Sequence, residues 1–311
     1  MREPTSGLRV LNPGILALVQ DLGRFGYQQL GLSTGGAADE HAYLWANRLL
    51  GNVPGAAAVE VCYGGLKLEA EVATRVAVTG ADLQLTLNGQ PVSPWQTLNL
   101  VPGDQLAFGY PKTGVRAYLA VQGGLQIKPV YGSVATVMRE QIGGLDGCGS
   151  KLKVGDLLPC SGADPARHFR VTTGYIPDYT QPLTLRVIEG HQCALFPAEV
   201  LARFYSEAYE ISPQSDRMGV RLSGPELHPL ADGIISEGIS FGAIQVPKDG
   251  QPIILLKDRQ TIGGYPKLGT VFALDAFMLA QRQPHTDIRF APMPLHEAQL
   301  ELQRFYRFFG V

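Results

Sequence analysis

The chain has 311 residues, 45% of them hydrophobic, and a formal net charge of −2. This length is enough for one large domain or two ordinary ones with proper cores. The near-neutral charge and the lack of a lysine-arginine stripe argue against binding to nucleic acid or to an anionic membrane. No apolar run approaches the length of a membrane span. Met1-Arg2-Glu3-Pro4 is not followed by the apolar region of a secretory signal, so we expect a cytosolic protein.

The cysteines and histidines show no spacing typical of a metal site. Cys62, Cys148, Cys160 and Cys193 form no Cys-x-x-Cys pair, so we expect reduced thiols that mostly fill the core. The glycine-rich surroundings of Cys148 are compatible with an exposed position. The six histidines are scattered, and we expect no metal in this chain.

The first half of the chain alternates short apolar segments with turn signals. The stretch "TRVAVTGADLQLTLNGQPV" predicts a strand, a turn at Gly80, an alternating strand through Leu83, Leu85 and Leu87, and a hairpin turn at Asn88-Gly89. Strands this short and closely spaced favour a barrel or sandwich over a doubly wound sheet. We therefore predict a mainly β fold with a few helices.

Helical periodicity is confined to a few segments. The predicted helices lie in "ADEHAYLWANRLLGN", "PAEVLARFYSEA", "DAFMLAQRQP" and "PLHEAQLELQRFYRFFG". Asp39 and Gly51 are the start and stop signals of the first, Pro197 opens the second, and Asp275 and Pro284 bound the third. The last has one apolar stripe, formed by Leu295, Ala298, Leu302, Phe305 and Phe309, which predicts docking on the body of the protein.

A polar linker divides the chain into two predicted domains. The stretch from Ser161 to Pro182 is rich in turn-forming and charged residues. It predicts an N-terminal β-rich domain over 1–165 and a C-terminal β-rich domain with a terminal helix over 166–311.

The first polar constellation follows an apolar strand near the N-terminus. Gln20, Asp21 and Arg24 precede a glycine-rich stretch that leads to the helix start at Asp39. Glycines allow the backbone to approach a ligand closely, and a helix start offers unpaired N–H groups. Two interpretations are equally open. In one, these three residues bind a substrate anion. In the other, an Asp21–Arg24 ion pair holds a long connection in place.

The second constellation is "SPQSDRMGVRLSG". Ser215, Asp216 and Arg217 precede a strand that carries Arg221. A guanidinium binds a carboxylate through two parallel hydrogen bonds, so Arg217 is our candidate for holding a substrate carboxylate. Ser215 and Asp216 are further candidates for substrate binding, although a loop Asp before an Arg is more often structural.

The third constellation interrupts the apolar stretch "IILLKDRQTIGGYPKLGTV". The candidate catalytic residues are Asp258, Gln260, Thr261 and Tyr265, and the candidate backbone donors to a substrate are Gly263 and Gly264. Chemistry at an amide needs a proton acceptor and donors aimed at the developing oxyanion. The competing interpretation is that Asp258 only pairs with Arg259 or Lys257 and closes a turn.

These stretches, in this order and together with "YLAVQGGL", closely resemble the KipA family, from about Leu8 to Phe290. The family is the C subunit of the prokaryotic 5-oxoprolinase, also called allophanate hydrolase subunit 2 or the biotin-dependent carboxyltransferase family. The resemblance implies a cyclophilin-like, β-barrel-rich fold in two closely packed parts. It also implies a heteromer with a KipI-like B subunit together with a LamB/YcsF-type A subunit. The implied reaction is ATP-dependent opening of 5-oxo-L-proline to L-glutamate, by a cyclic amide hydrolase.

One segment departs from the family pattern. The family has Gly-Ser-Arg-Ser-Thr followed by a second glycine-rich segment with an arginine. Here the first is Gly132-Ser133-Val134-Ala135-Thr136, and Cys148 stands where the second arginine is expected. Either this region is not the active site or this member acts on an altered substrate.

Two other functions remain open. In the first, the chain would be the carboxyltransferase component of a biotin-dependent urea or amide carboxylase. A separate biotin carrier would then be needed, because no Met-Lys-Met occurs. Alternatively, it is a non-catalytic antagonist of a KipI-like kinase inhibitor. The stretch "GGLDGCGSKLKVG" lacks the order of a phosphate-binding loop, so the site of ATP is not located and the isolated chain is expected to be nearly inactive.

Overall fold

A computed structural model describes residues 6–231 and 233–311. The stretch Met1-Arg2-Glu3-Pro4, on which the expectation of no secretory signal depends, lies outside the described residues. The chain forms two compact units. The first comprises Met1–Phe25 and Gly35–Thr180, and the second comprises Gly26–Thr34 and Gln181–Val311. The second unit therefore begins at Gln181, later than the predicted boundary after residue 165, and it also includes a short segment from near the N-terminus.

The first unit is built from two antiparallel sheets and one α-helix. Its elements are β1 (Gly7–Pro13), β2 (Leu16–Gln20), α1 (Glu40–Leu50), β3 (Ala58–Cys62), β4 (Leu66–Ala70), β5 (Thr74–Asp82), β6 (Thr86–Leu87), β7 (Gln90–Pro91), β8 (Gln96–Leu100), β9 (Gln105–Ala107), β10 (Thr113–Val121) and β11 (Leu157–Pro159). One sheet has the order β11-β1-β4-β9-β6-β7 and the other β2-β3-β10-β5-β8. Leu8 of the first sheet and Val61 and Leu119 of the second belong to one hydrophobic core.

Helix α1 begins and ends where its sequence signals predict. The Asp39 carboxylate accepts a hydrogen bond of 3.0 Å from the backbone N–H of Ala42, and Gly51 ends the helix with a φ of 70°. The side chain of Thr79 in β5 donates to the Ala42 carbonyl, so the helix lies against the five-stranded sheet. The predicted hairpin is also confirmed, with Asn88 and Gly89 joining β6 to β7 at φ values of 52° and 77°.

The predicted turn at Gly80 is wrong. Gly80 lies inside β5, which continues to Asp82 opposite β10. Its φ is 84°, and the pairing register with β10 shifts beside it, between Thr113 and Ala117. A glycine within a strand typically marks such an irregularity rather than the strand's end.

We expect Gly80→Ala to destabilise the first unit. A Cβ at this position would lie 2.4 Å from the Arg116 carbonyl oxygen. The strained φ and the clash together should lower the free energy of unfolding by about 3 kcal/mol or more. Gly103→Ala is the control, because its φ is 92° with nothing within 4 Å of the added atom, and it should cost only about 1 kcal/mol. Equal losses in urea denaturation of the two variants would contradict this account.

The second unit contains a closed barrel. Its elements are β12 (Leu183–Glu189), α2 (Ala198–Ser206), β13 (Tyr209–Ile211), β14 (Gly219–Ser223), β15 (Glu237–Gly238), β16 (Ala243–Gln245), β17 (Ile253–Leu255), β18 (Ile262–Gly263), β19 (Lys267–Val271), α3 (Ala273–Leu279), β20 (Asp287–Pro292) and α4 (Leu295–Phe309). The barrel order is β12-β19-β16-β17-β14-β13-β20, and the parallel pairing of β12 with β20 closes it. Strands β15 and β18 pair separately. The predicted mainly β fold is confirmed.

The helices of the second unit follow the sequence with small differences. Pro197 immediately precedes α2, as expected, whereas α3 begins at Ala273, before the predicted Asp275. In α4, Ala298 and Phe309 are buried, but Leu295 is 59% exposed and does not belong to the docking face. The face of α4 meets α3 through the rings of Phe305 and Phe277, whose centroids are 6.0 Å apart.

All four cysteines are free thiols. Cys62, Cys160 and Cys193 are buried and Cys148 is exposed, as their sequence surroundings suggested. Within residues 6–231 and 233–311, no helix has the length and apolarity needed to cross a membrane.

Candidate functional site

The barrel brings Arg217 and Asp258 together although 41 residues separate them in sequence. Strands β14 and β17 are antiparallel neighbours with Gly219 opposite Leu255, so the segment before one strand meets the segment after the other. The backbone N–H of Asp258 donates to the Arg217 carbonyl at 2.9 Å. The Arg217 Nε and Nη2 each donate to the Asp258 carboxylate at 3.0 Å, and both residues are 8% exposed.

This two-pronged pair differs from both sequence interpretations of Asp258. The carboxylate of Asp258 forms an ion pair with Arg217, which neither interpretation named as its partner. The Arg217 edge that was expected to hold a substrate carboxylate is occupied by Asp258. The pair is charge-assisted and buried, so removal of one side alone would deprive the other charge of this partner.

The two cations beside Asp258 are also buried. Lys257 places its ammonium 4.7 Å from the ring centroid of Phe241 and 5.7 Å from that of Phe277, within cation–π range. Arg259 donates from Nε to the Ile239 carbonyl and from Nη1 to the Leu256 carbonyl, both at 3.1 Å. Burial lowers the pKa of the Arg259 guanidinium to about 10, against the opposite effect of the Asp258 carboxylate. These contacts fix the start of the loop that leads to β18.

The remaining polar residues of this loop retain unused hydrogen-bonding capacity. The Thr261 hydroxyl and the Tyr265 hydroxyl have no hydrogen-bond partner among the described residues, and Tyr265 is 44% exposed. The Gln260 Oε1 is buried without a partner in the described part of the chain, and so is the Nε2 of Gln245 in β16. A buried amide without a partner carries a desolvation cost that a ligand or water can relieve.

Position 263 requires a glycine because the surrounding side chains leave no room for a Cβ. A Cβ there would lie 2.6 Å from Ile239 Cδ1 and 2.7 Å from Gln245 Nε2. At Gly264 the nearest atoms, the Ile234 carbonyl oxygen and the Ser236 Oγ, would be 3.2 and 3.3 Å away. Gly263 therefore allows the loop to approach the barrel closely at Gln245.

A second polar cluster, missed in the sequence, adjoins Gly263. Glu237 in β15 pairs with Gly263 in β18, and its carboxylate forms an ion pair with Lys267 at the start of β19. The Gln192 Nε2 donates to Glu237 Oε1 at 2.7 Å, while its Oε1 accepts from the Lys267 backbone N–H at 2.9 Å. Lys267 holds the pKa of the Glu237 carboxyl below its usual value.

These side chains line a cavity of about 230 Å³ in the second unit. His191, Gln192, Glu237, Ser240, Lys267 and Thr270 are among its lining residues. Gln192 and Glu237 come from segments without a motif, whereas Lys267 and Thr270 lie at the end of the stretch that carries Asp258 and Tyr265. No signal in the sequence joins the two sets. Gln245 lies opposite Lys267 in the β16–β19 pairing, which places the partnerless amide next to this cluster. A cavity with a cation, a carboxylate, an amide and hydroxyls suits a small polar substrate.

Ser215 and Asp216 are used within their own turn. The Asp216 Oδ1 accepts from the backbone N–H groups of Met218 and Gly219 at 2.8 and 3.1 Å. The Ser215 hydroxyl donates to the Ser212 carbonyl at 2.8 Å and accepts from the Arg221 N–H. Both residues shape the turn that presents Arg217, which supports the structural interpretation of Asp216.

Gln20, Asp21 and Arg24 form a separate polar cluster in the first unit. Asp21 accepts hydrogen bonds from Gly23 N–H, Ser133 Oγ and Val134 N–H at 2.8, 2.7 and 2.8 Å. Arg24 Nε donates to the Val130 carbonyl at 3.1 Å, and Arg24 Nη2 to the Ala135 carbonyl at 3.2 Å. The Gln20 Nε2 donates to the Thr136 carbonyl at 3.1 Å, while its Oε1 is buried without a partner among the described residues.

This cluster holds the segment in which the chain departs from the KipA pattern. Asp21 and Arg24 both form hydrogen bonds with residues 130–136, a connection other than the one that an Asp21–Arg24 ion pair was expected to hold. The hydrogen bonds of the Asp21 carboxylate lead to backbone and hydroxyl groups of that connection. The substrate-binding role of Gln20, Asp21 and Arg24 stays a prediction.

The family follows from comparison with known proteins. The family model described as "Carboxyltransferase domain, subdomain A and B" matches residues 30–292. The chain belongs to this family. It is 35% identical to the C subunit of 5-oxoprolinase from Escherichia coli, over 97% of this chain and 96% of that protein. It is also 35% identical to the C subunit of 5-oxoprolinase from Haemophilus influenzae, over 91% and 90%.

A solved structure shares the fold. The structure of the K. lactis urea amidolyase superposes with a TM-score of 0.89 and 27% identity over 98% of this chain. This chain spans only 20% of that larger one. The same fold therefore occurs both as a chain of this size and as one part of a much longer protein.

Proposed function

We propose that this chain is a subunit of a heteromeric, ATP-dependent 5-oxoprolinase that opens 5-oxo-L-proline to L-glutamate. The observation that carries the proposal is the 35% identity to the C subunit of 5-oxoprolinase over almost the whole of both chains. In the reaction, water adds across the amide bond of the lactam. The amide is resonance-stabilised, so ATP supplies the driving force and the protein must activate the amide oxygen.

The 230 Å³ cavity of the second unit is the proposed substrate site. The Lys267 ammonium at the cavity wall is our candidate for the substrate carboxylate, and it would share its charge with Glu237, with which it forms an ion pair. The Nε and Nη2 of Arg217 already bind Asp258. The loop from Lys257 to Tyr265 is next to the cavity without lining it, since Gly263 in that loop pairs with the lining residue Glu237. Thr261 and Tyr265 then offer hydroxyl groups, and Gly263 and Gly264 remain our candidates for backbone donors to the lactam oxygen.

The proposal includes partners and a cytosolic setting. The enzyme is completed by a KipI-like B subunit together with a LamB/YcsF-type A subunit, and the complex uses ATP. We expect the isolated chain to release almost no glutamate from 5-oxoproline and ATP, because its relatives are one subunit of a larger enzyme and the other subunits are then missing. Efficient ATP-coupled turnover by the purified chain would refute this expectation.

Reconstitution with co-expressed partners tests the proposal. The chain is purified with its KipI-like and LamB/YcsF-type partners, and glutamate and ADP are measured with 5-oxoproline and ATP. Glutamate release that requires all components and ATP supports the 5-oxoprolinase. Absence of turnover with any partner or substrate would favour the antagonist of a KipI-like inhibitor.

A second candidate function has its own support. The family description names a carboxyltransferase domain, and the K. lactis urea amidolyase has this fold at a TM-score of 0.89. In that function, the chain moves a carboxyl group from a biotin on a separate carrier to urea or another amide. Dependence of the reconstituted activity on biotin and bicarbonate, with urea in place of 5-oxoproline, would select this alternative.

A further inference from the structure

The first unit contains a cationic cavity that the proposed reaction does not use. It has a volume of about 380 Å³, within the ~300–1,000 Å³ typical of small-molecule sites. Its walls include Arg48, Arg75 and Arg170, the rings of Trp45 and Phe169, and the last turn of α1. None of the described residues that line it carries a carboxylate.

Arg75 is the buried member of this cluster. It lies in β5, is only 6% exposed, and its Nε is buried without a hydrogen-bond partner among residues 6–231 and 233–311. Its other two nitrogens are held by the Gln122 Oε1 at 3.3 Å and the Arg167 carbonyl at 3.1 Å. Neutral oxygens satisfy these donors but leave the positive charge without a counter-charge. A buried cation of this kind favours an anion beside it.

Arg170 supplies a second uncompensated cation. Its backbone is fixed by a bridge to Gln96 in β8, while its exposed guanidinium has no hydrogen-bond or ion-pair partner in the part of the chain that the structure describes. Arg48, in the last turn of α1, also faces the cavity. The carbonyl end of α1 contributes roughly half a negative charge, which the guanidinium groups of Arg75 and Arg170 outweigh.

Two aromatic rings complete the cavity. The Arg75 guanidinium carbon lies 5.8 Å from the ring centroid of Phe169, and that of Arg48 lies 6.0 Å from Trp45. Phe169 is 52% exposed, so one ring remains accessible to a ligand. Arginines beside accessible rings bind molecules that combine negative charge with a flat group, since guanidinium groups pair with the anion and rings stack.

We propose that this cavity binds a nucleoside phosphate, with the phosphates on Arg75 and Arg170 and the base against Phe169. The inference needs no phosphate-loop motif, because side-chain guanidinium groups replace the backbone N–H cradle. It rests on the proposed function only in that an ATP-dependent complex has a use for such a ligand. We expect binding here without magnesium, because the guanidinium groups of Arg75 and Arg170 supply positive charge for the phosphates.

Titration of the purified full-length chain with ATP tests the proposal. Binding is measured by calorimetry and by the fluorescence of Trp45, which lines the cavity. We expect saturable binding that persists in EDTA and weakens with salt. Arg170→Glu should weaken ATP binding about tenfold or more, because it reverses a charge that contacts the phosphates. The matched control is Arg304→Glu, an exposed arginine of α4 outside the cavity lining, which should change binding less than about threefold.

Comparison of ATP with adenosine and with inorganic triphosphate tests the phosphate and base contacts separately. Adenosine should bind far more weakly than ATP, and inorganic triphosphate should compete less well than ATP. Triphosphate that binds as tightly as ATP would overturn the assignment of a nucleoside. No saturable binding, or equal effects of the Arg170 and Arg304 variants, would overturn the site itself.

Failure of this inference is distinguishable from failure of the proposed function. If the chain does not bind ATP but the reconstituted complex still releases glutamate, only the nucleotide cavity is wrong. If the chain binds ATP but no complex releases glutamate, the cavity stands and the 5-oxoprolinase assignment falls.

Discussion

Asp258→Asn is expected to lower the free energy of unfolding by about 3 kcal/mol, the lower end of the loss seen when one side of a buried ion pair is removed. The substitution preserves size but leaves the Arg217 guanidinium, 8% exposed, without its carboxylate. Urea denaturation followed by circular dichroism measures the loss. Tryptophan fluorescence serves as an internal comparison, because Trp45 and Trp95 both lie in the first unit and Asp258 lies in the second.

Two further variants separate the lost pair from other effects. Asp287→Asn makes the same chemical change at an exposed position in β20 and should cost less than about 0.5 kcal/mol. The double variant Arg217→Met/Asp258→Leu removes both charges and should recover most of the stability, since apolar replacement of a buried pair is often neutral. An Asp258→Asn variant as stable as the parent, or a double variant less stable than the single one, would show that loss of the ion pair does not cause the destabilisation.

This stability effect changes how a loss of turnover is to be interpreted. An Asp258→Asn complex that loses both activity and stability does not identify Asp258 as a base. Arg217→Lys preserves the charge and loses the two-pronged geometry, so it tests the pair with a smaller disturbance. If Asp258 acts in catalysis, its variant must lose more turnover than Arg217→Lys at temperatures where both proteins remain folded.

Local features of the fold were predictable from the sequence. The Asn88-Gly89 turn and the ends of α1 depend on residues within one turn of the chain, so their chemistry alone determines them. Gly80 was wrongly predicted because a glycine permits both a turn and a strand irregularity, and the register with β10 decides between them. The parallel pairing of β12 and β20 that closes the barrel joins strands about a hundred residues apart, and no local pattern encodes it.

In the candidate site, too, the sequence predicts groups that are adjacent in the chain but not contacts that the fold creates. The polar loop after β17 was identified because its functional groups are adjacent in the chain. The partner of Asp258 was not, because the β14–β17 pairing that supplies Arg217 is a property of the barrel. Glu237 and Gln192 were missed because each stands alone in its own segment. Lys267 was missed although it follows Tyr265 by two residues, because only folding brings the three side chains to one cavity.

Lys267→Met should abolish most of the activity of the assembled enzyme while leaving it folded. If the Lys267 ammonium binds the substrate carboxylate, its removal eliminates a charge-assisted interaction of about 1.5–3 kcal/mol, which corresponds to roughly 10- to 150-fold in kcat/KM. The effect should fall mainly on KM, because the carboxylate is remote from the bond that breaks. Stability should change little, since the Glu237 side chain left behind is 36% exposed and such pairs contribute at most about 1 kcal/mol.

Lys153→Met as a control and Glu237→Gln as a second variant test the role of Lys267 further. Lys153→Met removes the same charge at an exposed position of the first unit and should leave kcat/KM unchanged. Glu237→Gln retains the ammonium but loosens its position, so KM should rise less than in Lys267→Met. Unchanged KM in the Lys267 variant, with the complex intact, would remove the substrate from this cavity. Lys267 lines the cavity and Lys153 does not. An equal loss of kcat/KM in the two variants would therefore show that the overall charge, and not binding in the cavity, causes the effect.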